Sequence, residues 1–173
     1  MAAWPRPSGL NFEKLGVVSR SHERYVADGW GVGELWFEDG RLAWHELPRP
    51  LPAGTGPVES GTELAERLVA YFAGARVEFG HVELDLDWCT PFQRAVAETL
   101  RAVPYAETVT YGELAALAGY PNAHRAAGTF CARNRIAILL PCHRVVAANG
   151  VGSYGSLGVG YKRRLLELER VAL

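Results

Sequence analysis

A succession of helix start signals in the second half of the chain constrains the fold most strongly. Thr90-Pro91 supplies an N-cap and a first-turn proline for a helix that carries Phe92, Val96 and Leu100 on one face. Thr110 and Glu113 have the spacing of a capping box, which predicts a short helix over Tyr111–Ala118. The second half is therefore expected to be mostly helical.

A further helix follows this short one after a tight turn. Gly119-Tyr120-Pro121 is typical of a turn, and Asn122 is expected to cap a helix that runs to about Arg133. Two short helices joined by a glycine-containing turn match a helix-turn-helix, a motif of many DNA-binding proteins. Many helical hairpins never contact DNA, so the pattern alone leaves the function open.

The predicted second helix of this pair is built largely from small residues. Ala126 and Gly128 are two of them, and Arg125 and Arg133 project from the same helix. Small side chains let a helix approach another surface closely. That surface is either a neighbouring element of the protein or a groove of DNA, and the composition does not decide between them.

The first half is expected to form strands followed by one helix. Asp39-Gly40 between two apolar segments predicts a hairpin with a type I′ turn, with strands at 35–38 and 41–44. Residues 48–57 contain four prolines and two glycines and are expected to form a loop. Trp30, Trp36 and Trp44 are assigned to the core of this half.

The rest of this half is predicted to be scaffold. Ser60 and Glu63 have capping-box spacing and should open a helix with its apolar face on Leu64, Leu68, Tyr71 and Phe72, ended by Gly74. Residues 82–86 alternate between apolar and charged side chains, which predicts a strand. The fold class is thus α+β. We place an N-terminal α/β support domain at residues 1–87 and a C-terminal domain at residues 88–173.

Charge divides along the same boundary. Residues 1–87 carry eight Lys or Arg and 14 Asp or Glu, whereas residues 88–173 carry ten and five. Between Leu114 and Leu166 seven basic residues occur and no acidic one. A basic half can face a polyanion such as DNA, although a neutral protein can also segregate charge without a partner.

The cysteines and the N-terminus bear on the compartment. Cys89, Cys131 and Cys142 form an odd set without a CxxC pair, which argues against a disulfide framework and against a zinc site. The first residues lack the apolar core of a secretory signal, and no apolar run is long enough to span a membrane. We therefore expect a cytoplasmic protein with no membrane partner.

One short block carries groups suited to nucleophilic chemistry. The apolar run 136–140, predicted as a strand, ends at Pro141-Cys142-His143-Arg144-Val145-Val146. A thiolate is the reactive form of cysteine, and a neighbouring base or positive charge favours it. Either Glu167 or Glu169 could orient the histidine. Taken alone, the pair also fits a buried structural cysteine beside a hydrogen-bonded histidine.

This block resembles the active-site signature of the methylated-DNA–protein-cysteine methyltransferases. Thr110-Tyr111-Gly112-Glu113-Leu114-Ala115 is similar to the start of that family's helix-turn-helix. Arg125 stands where the family has its arginine finger, and Asn134 precedes the cysteine by the family's spacing. The resemblance covers about residues 88–170, and the N-terminal half fits loosely, with the ribonuclease-H-like topology that the resemblance implies.

For DNA, the resemblance implies base flipping from a duplex that contains O6-alkylguanine, bound through the minor groove. Arg125 would fill the vacated stack and Tyr111 would crowd the 3′ phosphate, with Ala126, Gly128 and Arg133 on the binding helix. Extrusion exposes an atom that is unreachable in stacked DNA. The protein would act as a monomer, and clustering on DNA is left open.

For chemistry, the resemblance implies one irreversible transfer of the alkyl group to Cys142, without metal or organic cofactor. His143, oriented by Glu169, would take the thiol proton, either directly or through a water. Tyr111 would restore a proton to the guanine, and Asn134 would hold the active-site turn. The substrate pocket is expected from Pro141, Val145, Val146, Tyr154 and Ser156. O4-alkylthymine is a possible second substrate.

One loop departs from the family pattern. The segment from Tyr154 to Lys162 is one residue longer than the family's and lacks its usual residues directly after the tyrosine. This loop would cover the alkyl-binding pocket, so it bears on the size of adduct accepted. Two other classes stay open: a damage sensor without transfer activity, similar to the alkyltransferase-like proteins, and a cysteine hydrolase that uses Cys142 and His143.

Overall fold

The computed structural model describes residues 18–50 and 61–171, which form a mixed helix and strand structure. Its strands are β1 Arg20–Ala27, β2 Gly31–Glu38, β3 Arg41–Arg49, β4 Val109–Thr110 and β5 Val145–Val146. Its helices are α1 Glu63–Phe72, α2 Pro91–Arg101, α3 Tyr111–Leu117, α4 His124–Ala132 and α5 Gly158–Leu168, with 3₁₀ turns at Cys142–Arg144 and Gly155–Leu157. The predicted α+β class is confirmed.

The N-terminal sheet contains the predicted hairpin. β1, β2 and β3 pair antiparallel in that order, and Asp39 and Gly40 both have positive φ, 49° and 78°, as a type I′ turn requires. The loop predicted from Pro48 starts later, because β3 continues to Arg49. A proline is tolerated there since β3 is an edge strand. Most of that loop, residues 51–57, lies outside the described residues.

The predicted helix of the first half is α1, with a different N-cap. The side chain of Thr62, not Ser60, accepts a hydrogen bond from the amide of Ala65. Glu63 is thus the first helical residue and cannot serve as the third residue of a capping box; Ser60 itself lies outside the described residues. The predicted apolar face is buried, and Gly74 follows the helix with φ 93°.

The strand predicted over residues 82–86 does not form. Leu84 makes one isolated bridge to Leu42, through the Glu83 carbonyl and the Asp85 amide. At the start of the predicted strand the Val82 carbonyl accepts from the Arg101 guanidinium at 2.6 Å. The pairing therefore does not extend beyond the single bridge.

In the second half the first two helix starts are confirmed. Thr90 and Thr110 each form a complete capping box, with Gln93 and Glu113. The expectation for Asn122 is wrong. The N-cap of α4 is Ala123, which has no side-chain cap, and Asn122 has φ 74°. Asparagine tolerates this left-handed conformation, so here it shapes the turn before the helix.

The run 136–140 is also not a strand. Ile138 has φ 72°, and the amide of Leu140 donates to the carbonyl of Ile136, which makes the segment a buried turn. One bridge joins Ile136 to His45 of β3. Cys142 therefore opens a 3₁₀ turn and does not end a strand. The apolar content reflects burial rather than strand pairing.

Both halves of the chain contribute to one continuous hydrophobic cluster, which includes Leu35, Leu68, Val96, Leu140 and Leu165. Trp30 and Trp36 are buried, whereas Trp44 is half-buried. The division at residues 87 and 88 stays a prediction. Within residues 18–50 and 61–171, no helix has both the length and the apolarity that a membrane crossing demands.

Candidate active site

Cys142 lies where the two halves of the chain meet. It is 5% exposed and borders a cavity of about 230 Å³. Residues around Cys131–Asn134 and the segment 154–157 line this cavity from the second half. Trp44, Glu46 and Leu47 of β3 line it from the first half. The sequence predicts scaffold for β3, and its place beside the thiol follows only from the structure.

Asn134 holds the turn that carries the thiol. Its Nδ2 donates to the Leu140 carbonyl at 2.7 Å and to Cys142 Sγ at 3.0 Å. Its Oδ1 accepts from the amide of Ile136 at 3.0 Å. One side chain thus fixes both ends of the buried turn and places a donor on the sulfur.

The thiol is held in its neutral form. Burial raises the pKa of Cys142, while the Asn134 hydrogen bond, the nearby Tyr154 hydroxyl and the charge of Lys162 act to lower it. Desolvation disfavours the thiolate, and a donor or cation close to sulfur favours it. Cys142 is therefore protonated at rest, and Asn134, Tyr154 and Lys162 can stabilise its thiolate when it forms.

His143 is fully buried and hydrogen-bonded to Glu169. Nε2 lies 2.8 Å from Glu169 Oε1. Because a carboxylate only accepts, Nε2 must carry the proton, which leaves Nδ1 as the basic nitrogen. Among the described residues Nδ1 has no hydrogen-bond partner. Burial lowers the pKa of His143 although Glu169 raises it, so the ring is a neutral base.

Glu169 is the centre of this network, and Glu167 is not part of it. The Arg144 guanidinium donates from Nε to Oε2 and from a terminal nitrogen to Oε1, each at 2.9 Å, and the amide of Ala106 donates to Oε2 at 3.1 Å. Burial by itself would raise the pKa of Glu169, but these bonds and the adjacent positive charge hold it well below its ordinary value. The carboxylate is ionised and immobile, whereas Glu167 is exposed.

Tyr71 of α1 completes the network, a role that is not predicted from the sequence. Its hydroxyl donates to Glu169 Oε1 at 2.6 Å and lies 3.2 Å from His143 Nε2. The one signal in the sequence is a hydroxyl on an otherwise apolar helix face, which needs a partner when buried. The first half of the chain therefore supplies a residue to the site.

Tyr111 and Lys162 flank the thiol on the side of α3 and α4. A slit of about 10 Å³ is shared by Tyr111, Gly128 and Cys142. A side chain at Gly152 would lie 3.3 Å from the Tyr111 hydroxyl, which explains a glycine there. The ammonium of the buried Lys162 donates to the Val145 carbonyl and lies 5.8 Å from the Tyr111 ring centroid.

Of the five expected pocket residues, Tyr154 and Ser156 line the cavity beside Cys142. Pro141, Val145 and Val146 do not. Because Cys142 begins a 3₁₀ turn, Pro141 faces a separate cavity with Arg144. Val145 is buried in the core and pairs with Val109 in the parallel β4–β5 ladder.

The residues expected to bind DNA lie on α4 or at its end. Arg125, Ala126 and Arg133 are exposed, and Gly128 is half-buried against Tyr111. Arg133 also lines the cavity beside Cys142. In the described part of the chain, no group of three His, Cys, Asp or Glu side chains is placed to hold a metal ion.

Comparison with known proteins gives a consistent set of relatives. Residues 91–171 match the family described as the DNA-binding domain of 6-O-methylguanine DNA methyltransferase. The methylated-DNA–protein-cysteine methyltransferase of Mycolicibacterium paratuberculosis is 45% identical over 157 residues, which cover 90% of this chain and 87% of that protein. The Mycobacterium tuberculosis protein of the same name is 50% identical over 138 residues, 79% and 76% of the two chains.

Solved structures point to the same relatives as the sequence comparison. The crystal structure of the M. tuberculosis O6-methylguanine methyltransferase superposes with a TM-score of 0.73 at 34% identity, covering 88% of this chain and 93% of that one. The M. tuberculosis protein in complex with DNA gives a TM-score of 0.72 at 38% identity, covering 86% and 92%.

Proposed function

Because this chain belongs to the methylated-DNA–protein-cysteine methyltransferase family, we propose that it repairs DNA by moving the alkyl group of O6-alkylguanine onto Cys142. The thioether formed has no hydrolysis route built into the site, so each molecule acts once. The transfer needs neither metal nor organic cofactor. O4-alkylthymine carries a comparable alkyl oxygen and is the second candidate substrate.

The observation that carries this proposal is the arrangement of Cys142, His143 and Glu169. A buried neutral thiol is adjacent in the chain to a neutral imidazole with a free basic nitrogen, and that imidazole is hydrogen-bonded to an ionised carboxylate. This is the order of groups that activates a nucleophile in a general-base mechanism. The Asn134 donor at 3.0 Å from sulfur supports the thiolate as it forms.

Proton transfer precedes the displacement. Since His143 Nδ1 makes no hydrogen bond to Sγ within the described residues, we infer that one water molecule relays the proton. The imidazolium is stabilised by Glu169, which Arg144, Ala106 and Tyr71 hold in place. Glu169 therefore favours the protonated form of His143 and makes this imidazole a stronger base.

The displacement itself is in line. The thiolate attacks the alkyl carbon, the carbon–sulfur bond forms, and the carbon–O6 bond breaks with its electron pair leaving on guanine. We assign Tyr111 as the donor that restores a proton to the base. Burial raises the pKa of Tyr111, which keeps the phenol protonated for this step.

Base delivery is assigned to α3 and α4, which we take as a helix-turn-helix that enters the minor groove. The small residues of α4 allow close approach, and Arg125 is free to occupy the stack that the flipped nucleotide leaves. Contacts to phosphate give affinity without sequence choice, as a lesion that can occur anywhere requires. We propose that the protein acts as a monomer, with the first half supporting the site through Tyr71.

The test is the intact mass of the protein after mixing with a duplex that holds one O6-methylguanine. We expect a gain of one methyl per molecule, absent from Cys142→Ala and unchanged by excess substrate. Tighter binding to the lesion duplex without any mass gain would instead identify a damage sensor. Repeated turnover of an ester or amide substrate would identify a cysteine hydrolase.

A further inference from the structure

A second buried histidine contacts the turn that carries the thiol. His45 of β3 is 4% exposed, and its Nδ1 lies 2.6 Å from the carbonyl oxygen of Ala137. On the other side of the ring, Nε2 lies 2.7 Å from the hydroxyl of Tyr25 in β1. Neither His45 nor Tyr25 takes part in the proton transfer or in the displacement. Both belong to the first half of the chain, whereas Ala137 lies in the turn that leads to Cys142.

The two contacts specify where the ring carries its proton. Because a carbonyl oxygen only accepts, Nδ1 must carry the proton, and Nε2 is left as the acceptor. Burial lowers the pKa of His45 to about 4, so the ring is neutral at neutral pH. Burial also raises the pKa of Tyr25, so its phenol stays protonated and can donate to Nε2. Two hydrogen bonds therefore run in one direction, from Tyr25 through His45 to the carbonyl of Ala137.

The backbone of His45 adds a second attachment to the same turn. Its amide donates to the carbonyl of Arg135 at 2.8 Å, within the bridge that joins His45 to Ile136. One residue of β3 thus binds two carbonyls of the turn, those of Arg135 and Ala137. The backbone bond is available to any residue except proline at this position, whereas the bond to Ala137 requires a side-chain donor.

The turn needs support at this point. Ile138 follows Ala137 directly and has φ 72°, a left-handed conformation that is unfavourable for a β-branched residue. A strained conformation of this kind persists only where the surrounding structure holds it in place. Asn134 binds the turn at two other points, and His45 binds the carbonyl immediately before the strained residue. The His45 side chain therefore holds a part of the turn that Asn134 does not bind.

The position of the turn determines the position of the thiol. The amide of Leu140 donates to the carbonyl of Ile136 at 2.9 Å, and the amide of Cys142 donates to the carbonyl of Leu140 at 2.8 Å. The Leu140 carbonyl also accepts from Asn134 Nδ2, which donates to Cys142 Sγ as well. A shift of the turn therefore changes the distance between Sγ and this donor. A displacement of about 1 Å at a reacting group can slow a reaction by about 100-fold.

Resting on the proposed function, we propose that His45 is a positioning residue for alkyl transfer. Its imidazole holds the carbonyl of Ala137 and with it the strained turn, so that Cys142 Sγ stays beside the donor of Asn134. Tyr25 orients the ring from β1. The sheet of the first half thereby contributes to the rate through the thiol, separately from the contact that Tyr71 makes with the base and its carboxylate.

The test uses two variants of similar size at one position. His45→Leu keeps apolar volume and removes the donor, whereas His45→Asn keeps a donor close to the place of Nδ1. The measurements are the single-turnover rate of methyl transfer at saturating O6-methylguanine duplex and the affinity for that duplex. For His45→Leu we expect a roughly tenfold slower rate, comparable to the loss of one hydrogen bond, with unchanged affinity. For His45→Asn we expect most of the rate to be restored.

A second measurement reports on the thiol without DNA. The pH dependence of alkylation by iodoacetamide gives the pKa of Cys142, which should rise in His45→Leu because Sγ moves away from the Asn134 donor. Trp30→Phe is the matched control. It also removes a hydrogen bond from a buried ring of the first half to a backbone carbonyl, that of Phe72 at 3.1 Å, which is not part of the turn. It should lower stability and leave both the rate and the pKa unchanged.

Several outcomes would overturn this inference while the proposed function stands. They are an unchanged rate and thiol pKa in His45→Leu, an equal slowing in Trp30→Phe, and a rate in His45→Asn as low as in His45→Leu, which would assign the effect to packing. Should His45→Leu fail to fold, Tyr25→Phe decides, since it removes only the hydroxyl that orients the ring. Slower transfer at unchanged affinity supports the inference, and an unchanged rate overturns it. Absence of methyl transfer in the unaltered protein would overturn the proposed function and this inference with it.

Discussion

Replacement of Tyr71 by phenylalanine tests whether the first half of the chain controls the base. The substitution removes one hydroxyl and keeps the ring, which packs edge-on against Phe72 and Phe79 at centroid distances of 5.3 and 6.2 Å. The change in contacts is therefore confined to the 2.6 Å bond to Glu169 and the approach to His143. No cavity larger than a hydroxyl group is created.

The size of the expected effect depends on the hydrogen bonds that Glu169 retains. A hydrogen bond to a charged group contributes about 1.5–3 kcal/mol, and Glu169 retains donors from His143, Arg144 and Ala106. We therefore expect a loss of about 1.5 kcal/mol in the free energy of unfolding. The carboxylate that has lost a donor attracts the His143 proton more strongly. If the full loss of about 1.5 kcal/mol acts on the protonation of the imidazole, the pKa of His143 rises by about one unit, because one pKa unit corresponds to about 1.4 kcal/mol.

The assay is the rate of methyl transfer to Cys142 as a function of pH. Under the proposed mechanism the base form of His143 is required, so the rate falls as pH drops through the pKa of His143. Tyr71→Phe should therefore move this acid limb to higher pH by up to about one unit. Tyr105→Phe is the matched control, because its hydroxyl donates to the Leu168 carbonyl at 3.4 Å and not to Glu169. If Tyr71→Phe lowers the stability but leaves the acid limb in place, the reasoning is refuted and Tyr71 is only a packing residue.

Three further predictions concern other parts of the site. Asn134→Ala removes a hydrogen-bond donor from Sγ, so we expect roughly tenfold slower transfer and a higher pKa of the Cys142 thiol. The pH dependence of alkylation by iodoacetamide measures this pKa. An unchanged pKa would show that the bond does not stabilise the thiolate. Burial lowers the pKa of His45 to about 4, so as the pH falls the unfolded chain binds this proton before the folded chain does. The free energy of unfolding should therefore decrease by about 3 kcal/mol between pH 6.5 and pH 4. Urea unfolding across this range should show a shallower decline in His45→Gln, and equal slopes would contradict the assignment. Arg125→Ala should slow transfer from duplex DNA more than from single-stranded DNA, which has no stack to fill, whereas the exposed Arg163→Ala should affect both alike.

Local signals in the sequence were sufficient for the elements whose cause is local. The Thr90 N-cap, the Thr110–Glu113 capping box and the Asp39-Gly40 turn depend on residues within three or four positions, and all three are confirmed, whereas the capping box predicted for Ser60 and Glu63 is wrong because Thr62 is the N-cap. The same logic was wrong at Asn122, because a residue with φ 74° cannot be the N-cap that its type suggests. Side-chain type alone does not specify which of two adjacent positions takes the cap.

The errors and omissions in the site have a common physical origin. The prediction of a strand over the run 136–140 is wrong because burial and strand pairing give the same apolar pattern, and the turn at Ile138 has no local signal. Tyr71 and Trp44 join the site through contacts made across the whole chain, as the 98-residue separation of Tyr71 and Glu169 shows. A helix face or strand face tells which residues are buried, but not which hydroxyl reaches which carboxylate.

The position of Glu169 in the chain has a consequence for protein synthesis. Glu169 follows His143 by 26 residues and Tyr71 by 98, so the ribosome makes the nucleophile and its base well before the group that orients them. A growing chain folds from its N-terminal side as it emerges. Until α5 has been translated and has docked, Cys142 has no oriented base and Arg144 no carboxylate. Under the proposed function, a nascent chain therefore cannot activate Cys142 through His143 and Glu169 before its last helix has docked.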